Sequence, residues 1–387
     1  MVPRHASPAG KQGATMNPAI KYIDSLTPLR GLAALWVMVF HIDVSLFYRD
    51  MGALVSRDAT GIISHGYLWV DFFFLLSGFI MAHVFGERLA QGGKVLDYLW
   101  ARLARIYPLH LFCLALVVII AVTYPLFVPN VKDGSWDTFM AWRAIPSNLL
   151  LTHAMNQHVY LSWDIVSWSI GAEWWTYVAT FLLIIWLHKG SAWLSPVAMT
   201  VAFTLLAGLV YCLKDHNLDI TFNWGFFRCL FEFVIGLGVY RLYREGWLGW
   251  TKHDVVVASL LAAIAAIFHF KLNDLIVVPV FCLLILAVSR NAGLFHGLLQ
   301  TGPLQYLGRI SYSLYLVHGV VFSALWFLLP WFKSTYGAFN GVERLAYAAV
   351  FAVLVIGLSS LTYRFIERPA RLWLLSMRRY TVVGPHI

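Results

Sequence analysis

Long apolar runs, separated by short polar stretches, set the pattern of this chain. Runs near the 20 residues that a membrane-spanning helix needs fall at 27–47, 67–85, 107–128, 165–187, 192–213, 226–243, 253–270, 273–289, 307–331 and 344–366. Read as helices, these ten spans place both termini on one side of a bilayer. The stretch 146–164 (PSNLLLTHAMNQHVYLSWD) is too polar to span and reads as a re-entrant or interfacial segment. No internal repeat, low-complexity tract or composition shift marks a second unit. The expected organisation is a tail over 1–26, a transmembrane domain over 27–367 and a basic tail over 368–387.

Composition sharpens this reading. The 387 residues are 60% apolar and 12% charged, half the charge of a soluble globular protein, which carries about 25%. The fold class is therefore all-α and polytopic, with the lipid bilayer as a partner. In a soluble chain a net charge of +9 would point to nucleic acid. In a membrane protein Lys and Arg gather in cytoplasmic loops, so no nucleic acid is expected. With the N-terminus inside, 19 of the 28 basic residues fall on inside segments, from Arg4, Lys11 and Lys21 to Arg378 and Arg379. Both termini are thus expected to be cytoplasmic. Residues 1–26 carry no hydrophobic core before a small-residue cleavage site, so no cleaved signal peptide is expected. Cys113, Cys212, Cys229 and Cys282 lack CxxC spacing and read as buried structural thiols. The 14 histidines show no metal-ligand spacing, and no metal is expected.

The informative positions are polar ones inside apolar runs. In TPLRGLAALWVMVFHIDVS (27–45), Arg30 and His41 lie 11 positions apart. That is roughly 16 Å along a helix and about 20° beyond three full turns, so both share one face. Such groups are expensive against lipid. In WVDFFFLLSGFIMAHVF (69–85), Asp71 reads as an interfacial charge or a site carboxylate, and Ser77-Gly78 reads first as a close helix contact. Arg102 and Arg105, one turn apart and followed by Pro108 at an expected helix start, read as a positive flank or as a phosphate clamp. Glu173 lies among Trp168, Trp174 and Trp175; an aromatic belt explains the indoles but not the carboxylate. Ser311, Tyr315 and His318 form one stripe at helical spacing. Glu367 and the arginines around it read as an anchoring cluster. His41, Asp71 and Glu173 are expected to meet in the outer half of the bundle.

Taken together these stretches resemble acyltransferase family 3, the bacterial polytopic membrane O-acyltransferases, over about 22–372. Arg30 and His41 match the family's arginine, ten residues, histidine pattern, and VDFFFLLSGF (70–79) is similar to its aromatic segment ending Ser-Gly. RLAR (102–105) followed by IYP resembles the Arg-x-x-Arg element. SWSIGAEWWTY (167–177) resembles Trp-Ser-Leu-x-x-Glu, with Ile170 where Leu is usual. SYSLYLVH (311–318) and YRFIERP (363–369) are similar to its two C-terminal signatures. No hydrolase-like soluble domain follows the last helix, so some acceptors would call for a separate partner.

The resemblance implies transfer of an acyl group, usually acetyl, from cytosolic acyl-CoA to a hydroxyl of a glycan or lipid-linked glycan outside the bacterial inner membrane. On that reading Arg30, Arg102, Arg105 and Ser77 bind the donor, acetyl-CoA. His41 takes the proton of the incoming hydroxyl or itself carries the acyl group. Glu173 or Asp71 fixes the ring's tautomer. Tyr315, His318, Trp168 and Ser169 are candidate oxyanion or acceptor contacts. Two other classes compete. A transporter of an anionic or acylated molecule would use the same intramembrane charges, but the expected repeats are missing. A passive scaffold would leave the Arg30–His41 alignment unexplained. Acceptor identity, acyl length and oligomeric state are not legible in the sequence.

Overall fold

The computed structural model describes residues 23–129, 131–213 and 215–378. Arg4, Lys11, Lys21 and Arg379, used above for orientation, lie outside them, as do most of the N-terminal tail and the end of the C-terminal one. Among the described residues the chain is helical, without strands. Numbering only helices of eight residues or more gives α1 (Leu26–Tyr48), α2 (Trp69–Ala90), α3 (Val95–Phe127), α4 (Trp168–Lys189), α5 (Leu194–Cys212) and α6 (Gly225–Arg244). They are followed by α7 (Asp254–His269), α8 (Val277–Arg290), α9 (Gly302–Arg309), α10 (Ser311–Tyr336), α11 (Gly341–Thr362) and α12 (Arg368–Ser376).

A helix coincides with each of the ten apolar stretches. Among the described residues seven helices are long and apolar enough to cross a membrane. The other three fall short for visible reasons. α6 carries Arg228, Glu232, Arg241 and Arg244 in its 20 residues. α7 and α8 have 16 and 14 residues, so they rise only about 24 and 21 Å against a hydrocarbon core near 30 Å. α3 departs most from expectation. It begins twelve residues before Tyr107 and carries Pro108 in its interior rather than at its start. The run LDYLWARLAR is made largely of good helix formers. Two residues before the proline the Tyr312 hydroxyl donates to the Ile106 carbonyl at 2.6 Å, while the carbonyl that Pro108 leaves without its helical donor is that of Ala104.

The closest helix contact joins α2 to α6. A Cβ on Gly78 would stand 2.1 Å from the Phe233 carbonyl oxygen, and one on Gly236 would stand 2.0 Å from that of Leu75. Only glycine lets the two backbones touch. At the N-terminal ends of these helices Arg228 grips Asp71 in a bidentate pair, Nε to Oδ1 at 2.8 Å and Nη2 to Oδ2 at 2.7 Å. Both side chains are wholly buried.

The segment before α4 does not span. It folds into short turns of helix, Trp136–Phe139, Trp142–Ala144 and Ile145–Leu149, and its polar groups bond inward. The Asn148 carbonyl meets His110 Nε2 on α3 at 2.9 Å. Arg49, just past α1, reaches Asp133 at 2.5 Å and Ser135 at 3.1 Å while lying 4.2 Å over the Trp326 ring of α10. Cys113, Cys229 and Cys282 are buried as expected; Cys212, at the end of α5, is exposed.

Candidate active site

Five helices, α1, α2, α3, α4 and α10, enclose a cavity of about 150 Å³. Arg30, Ser77, Arg102, Arg105, Ser169, Glu173 and Tyr315 all line it. Residues as far apart as 30 and 315 are thus brought to one space.

Its cationic end is built by the first turns of α1 and α10 and by α3. Arg30 donates to Ser311 Oγ at 3.1 Å. Arg105 pairs with the buried Glu367, whose other oxygen accepts from Ser313 Oγ at 2.6 Å. Arg102 differs from Arg105. Its guanidinium lies 5.0 Å from the Phe85 ring centroid, is only 6% exposed, and forms no salt bridge within the described residues; its Nε has no hydrogen-bond partner. Burying a charge without an opposite charge is costly. A phosphate in the cavity would remove that cost with charge-assisted bonds.

Midway along the wall Glu173 accepts from Ser77 Oγ and from Tyr177 OH, both at 2.5 Å, and these two hydroxyls lie 2.9 Å apart. The Ser77-Gly78 dipeptide therefore serves two ends: the glycine packs on α6 while the serine faces the cavity. At the deep end Tyr315 OH and Ser169 Oγ are hydrogen-bonded at 2.8 Å, with Phe73 set edge-on against the Tyr315 ring.

His318 lies one turn beyond Tyr315, its ring centroid 5.5 Å from the phenol's. Its Nε2 meets His41 Nδ1 at 3.3 Å. Carbonyls assign the tautomers, because they only accept. His318 Nδ1 faces the Leu314 carbonyl at 3.2 Å and so carries the proton, which leaves Nε2 bare. His41 Nδ1 faces both that bare nitrogen and the Val37 carbonyl at 2.9 Å, so it too is protonated. The lone pair of His41 is then on Nε2, turned away from His318.

This geometry corrects one expectation. His41, Asp71 and Glu173 do not meet. Asp71 is occupied by Arg228 and Glu173 by two hydroxyls; neither carboxylate bonds His41. The groups beside His41 Nδ1 are the Val37 carbonyl at 2.9 Å and His318 Nε2 at 3.3 Å. Trp168 is also outside the cavity lining, with the Arg228 guanidinium 5.5 Å from its ring centroid. Sequence reading saw the SYSLYLVH stripe but not its destination, since 277 residues separate the two histidines. It missed the pairing of Arg228 with Asp71. A cation and an anion at matching depths near the starts of two helices were the available signal. Among the described residues no group of three or more metal-ligating side chains is assembled.

Comparison with known proteins agrees with this architecture. The profile of acyltransferase family 3, described as an acyltransferase domain, matches residues 23–364. The chain is 28% identical to acyltransferase MdmB of Streptomyces mycarofaciens, over 96% of this chain and 97% of the relative. It is 39% identical to protein 2 in the picA locus of Rhizobium radiobacter over 93 residues, 24% of this chain and 42% of that one. No solved structure matches significantly. The chain belongs to acyltransferase family 3, and it is an acyltransferase with several helices long and apolar enough to cross a membrane.

Proposed function

We propose that this acyltransferase moves an acyl group, acetyl in the first instance, from cytosolic acyl-CoA to a hydroxyl of an envelope or exported glycan or a related acceptor at the bacterial inner membrane. The observation that carries the proposal is the buried, unpaired Arg102 at one end of a cavity whose other end adjoins the His41–His318 pair. The donor's phosphates suit the arginine end, and a slender thioester arm suits the narrow space beyond it.

In the transfer the acceptor oxygen attacks the thioester carbonyl carbon and gives its proton to His41 Nε2. The new C–O bond forms as the C–S bond breaks, and the proton passes on to the departing thiolate of CoA. His318 Nε2 accepts from His41 Nδ1–H throughout, so it holds the ring and stabilises the imidazolium much as a carboxylate does in a triad. The same bare Nε2 suits an acyl-histidine route, in which the thiol leaves before the acceptor arrives.

CoA thiol release, followed in nanodiscs with acetyl-CoA and a de-acylated envelope glycan, tests this. Wild type should release thiol and His41→Ala should not. A stoichiometric burst without acceptor would favour the acyl-histidine route; strict acceptor dependence would favour direct transfer. Wild-type protein that neither binds nor consumes acetyl-CoA would overturn the proposal.

A further inference from the structure

α12 lies beyond the stretch matched by the family profile, which ends at 364, and it packs against α3, the helix that carries Arg102 and Arg105. A five-residue π-helical turn, Tyr363–Glu367, joins it to α11. Such turns arise where a helix must re-aim its side chains, and this one delivers Glu367 to Arg105. Arg371 follows Glu367 by four residues, so the two share a face of the helix. α12 is docked on α3, where Trp100 Nε1 donates to the Leu374 carbonyl at 2.8 Å.

Arg371 is half-buried and its Nε is buried without a partner. It lies within electrostatic reach of Arg102, Arg105 and Glu367. Three guanidiniums therefore face one carboxylate, and Arg105 already occupies that carboxylate. Arg102 and Arg371 are left without a salt bridge among the described residues, each with its Nε buried and unpartnered. Like charges gathered there repel one another, and a ligand of two or more negative charges would reverse the balance, since guanidiniums bind phosphate oxygens in bidentate pairs.

We infer that Arg371 completes a phosphate site with Arg102 and Arg105, so that α12 forms the cytosolic wall of the donor's binding site and takes its diphosphate. This rests on the acyl-CoA reading above. A lipid headgroup offers the same phosphate chemistry, and the test separates the two sources.

The full chain is placed in phosphatidylcholine nanodiscs as wild type, Arg371→Ala and Arg371→Lys. CoA affinity, turnover of acetyl-CoA, turnover of acetyl-pantetheine (which lacks phosphates) and the thermal shift with inorganic pyrophosphate are measured. Arg371→Ala should weaken CoA binding and raise the acetyl-CoA KM about tenfold or more, with partial recovery in Arg371→Lys. It should leave acetyl-pantetheine turnover unchanged and abolish stabilisation by pyrophosphate. An unchanged CoA affinity, or an equal loss with acetyl-pantetheine, would overturn the inference and leave the acyl-CoA reading intact. Should Arg371→Ala instead lose only bound phosphatidylglycerol in discs containing it, the site belongs to a headgroup and the inference fails. If wild type ignores CoA, the acyl-CoA reading fails by itself, and the pyrophosphate arm alone decides whether Arg371 builds an anion site.

Discussion

His318 and Glu173 show how much a residue's role depends on what it meets. Both interrupt apolar helices, and both drew attention in the sequence for that reason. Only the packing shows that a histidine, and not a carboxylate, stands beside His41 Nδ1. His318→Gln places an amide where Nε2 stood and can still accept from His41 Nδ1–H; His318→Leu cannot. We expect both to lower kcat with the acyl-CoA KM little changed, the leucine variant by about a hundredfold, within the range of positioned acid–base groups, and the glutamine variant by less. Equal losses in the two variants would remove the tautomer-holding role. Glu173→Gln keeps an oxygen that can accept from both Ser77 and Tyr177 and replaces the other with an amide nitrogen, so the charge is what it removes. The protein should still fold, with lower kcat; unchanged turnover would exclude Glu173 from the reaction. Arg30, His41, Arg102 and Arg105 were legible because charge in an apolar run has a cost that sequence alone displays. Their partners Ser311, His318 and Glu367 lie on α10 and in the turn after α11, and pairing across such separations depends on which helices pack.

At the scale of elements, the α2–α6 pair is fastened twice, by glycine-mediated backbone contact and by the buried Asp71–Arg228 bridge. Breaking one side of such a bridge leaves an uncompensated charge. Arg228→Met should therefore destabilise the protein by about 3–5 kcal/mol, seen as a large drop in thermal midpoint in detergent. Asp71→Asn combined with Arg228→Gln leaves no net charge behind and should cost much less. A double variant as damaged as Arg228→Met would mean that the ion pair has a task besides fastening. Ser77-Gly78 was read from sequence as a packing contact, and the glycine half of that reading holds. α3 was misjudged at its start because a proline was taken as a boundary, whereas docking on α12 and bonding by Tyr312 support the helix through it.

Across the whole molecule, the ten apolar stretches were legible because spacing between polar breaks survives any packing arrangement. The fold of 131–164 was not. Many of its polar groups bond within its own turns and to α3, as Asn148 does with Ser162 and His110, a solution with no periodic signature. Orientation can be tested with the native thiols. Cys212 is the exposed one and closes the fifth apolar stretch, on the face opposite an inward N-terminus. An impermeant maleimide added outside intact cells should label Cys212 and spare Cys113, Cys229 and Cys282. Labelling only after permeabilisation would reverse the orientation proposed here, with both termini on the outer side.

The hydroxyl pair of Tyr315 and Ser169, backed by the Phe73 ring, lines the end of the cavity nearest the two histidines, which are themselves outside its lining. A bacterial membrane stores energy as a proton gradient, and any continuous file of water through a protein would drain it. On the acyl-CoA reading proposed above, a cavity that ends at this hydrogen-bonded hydroxyl pair would bring a donor arm towards the histidines without opening such a file.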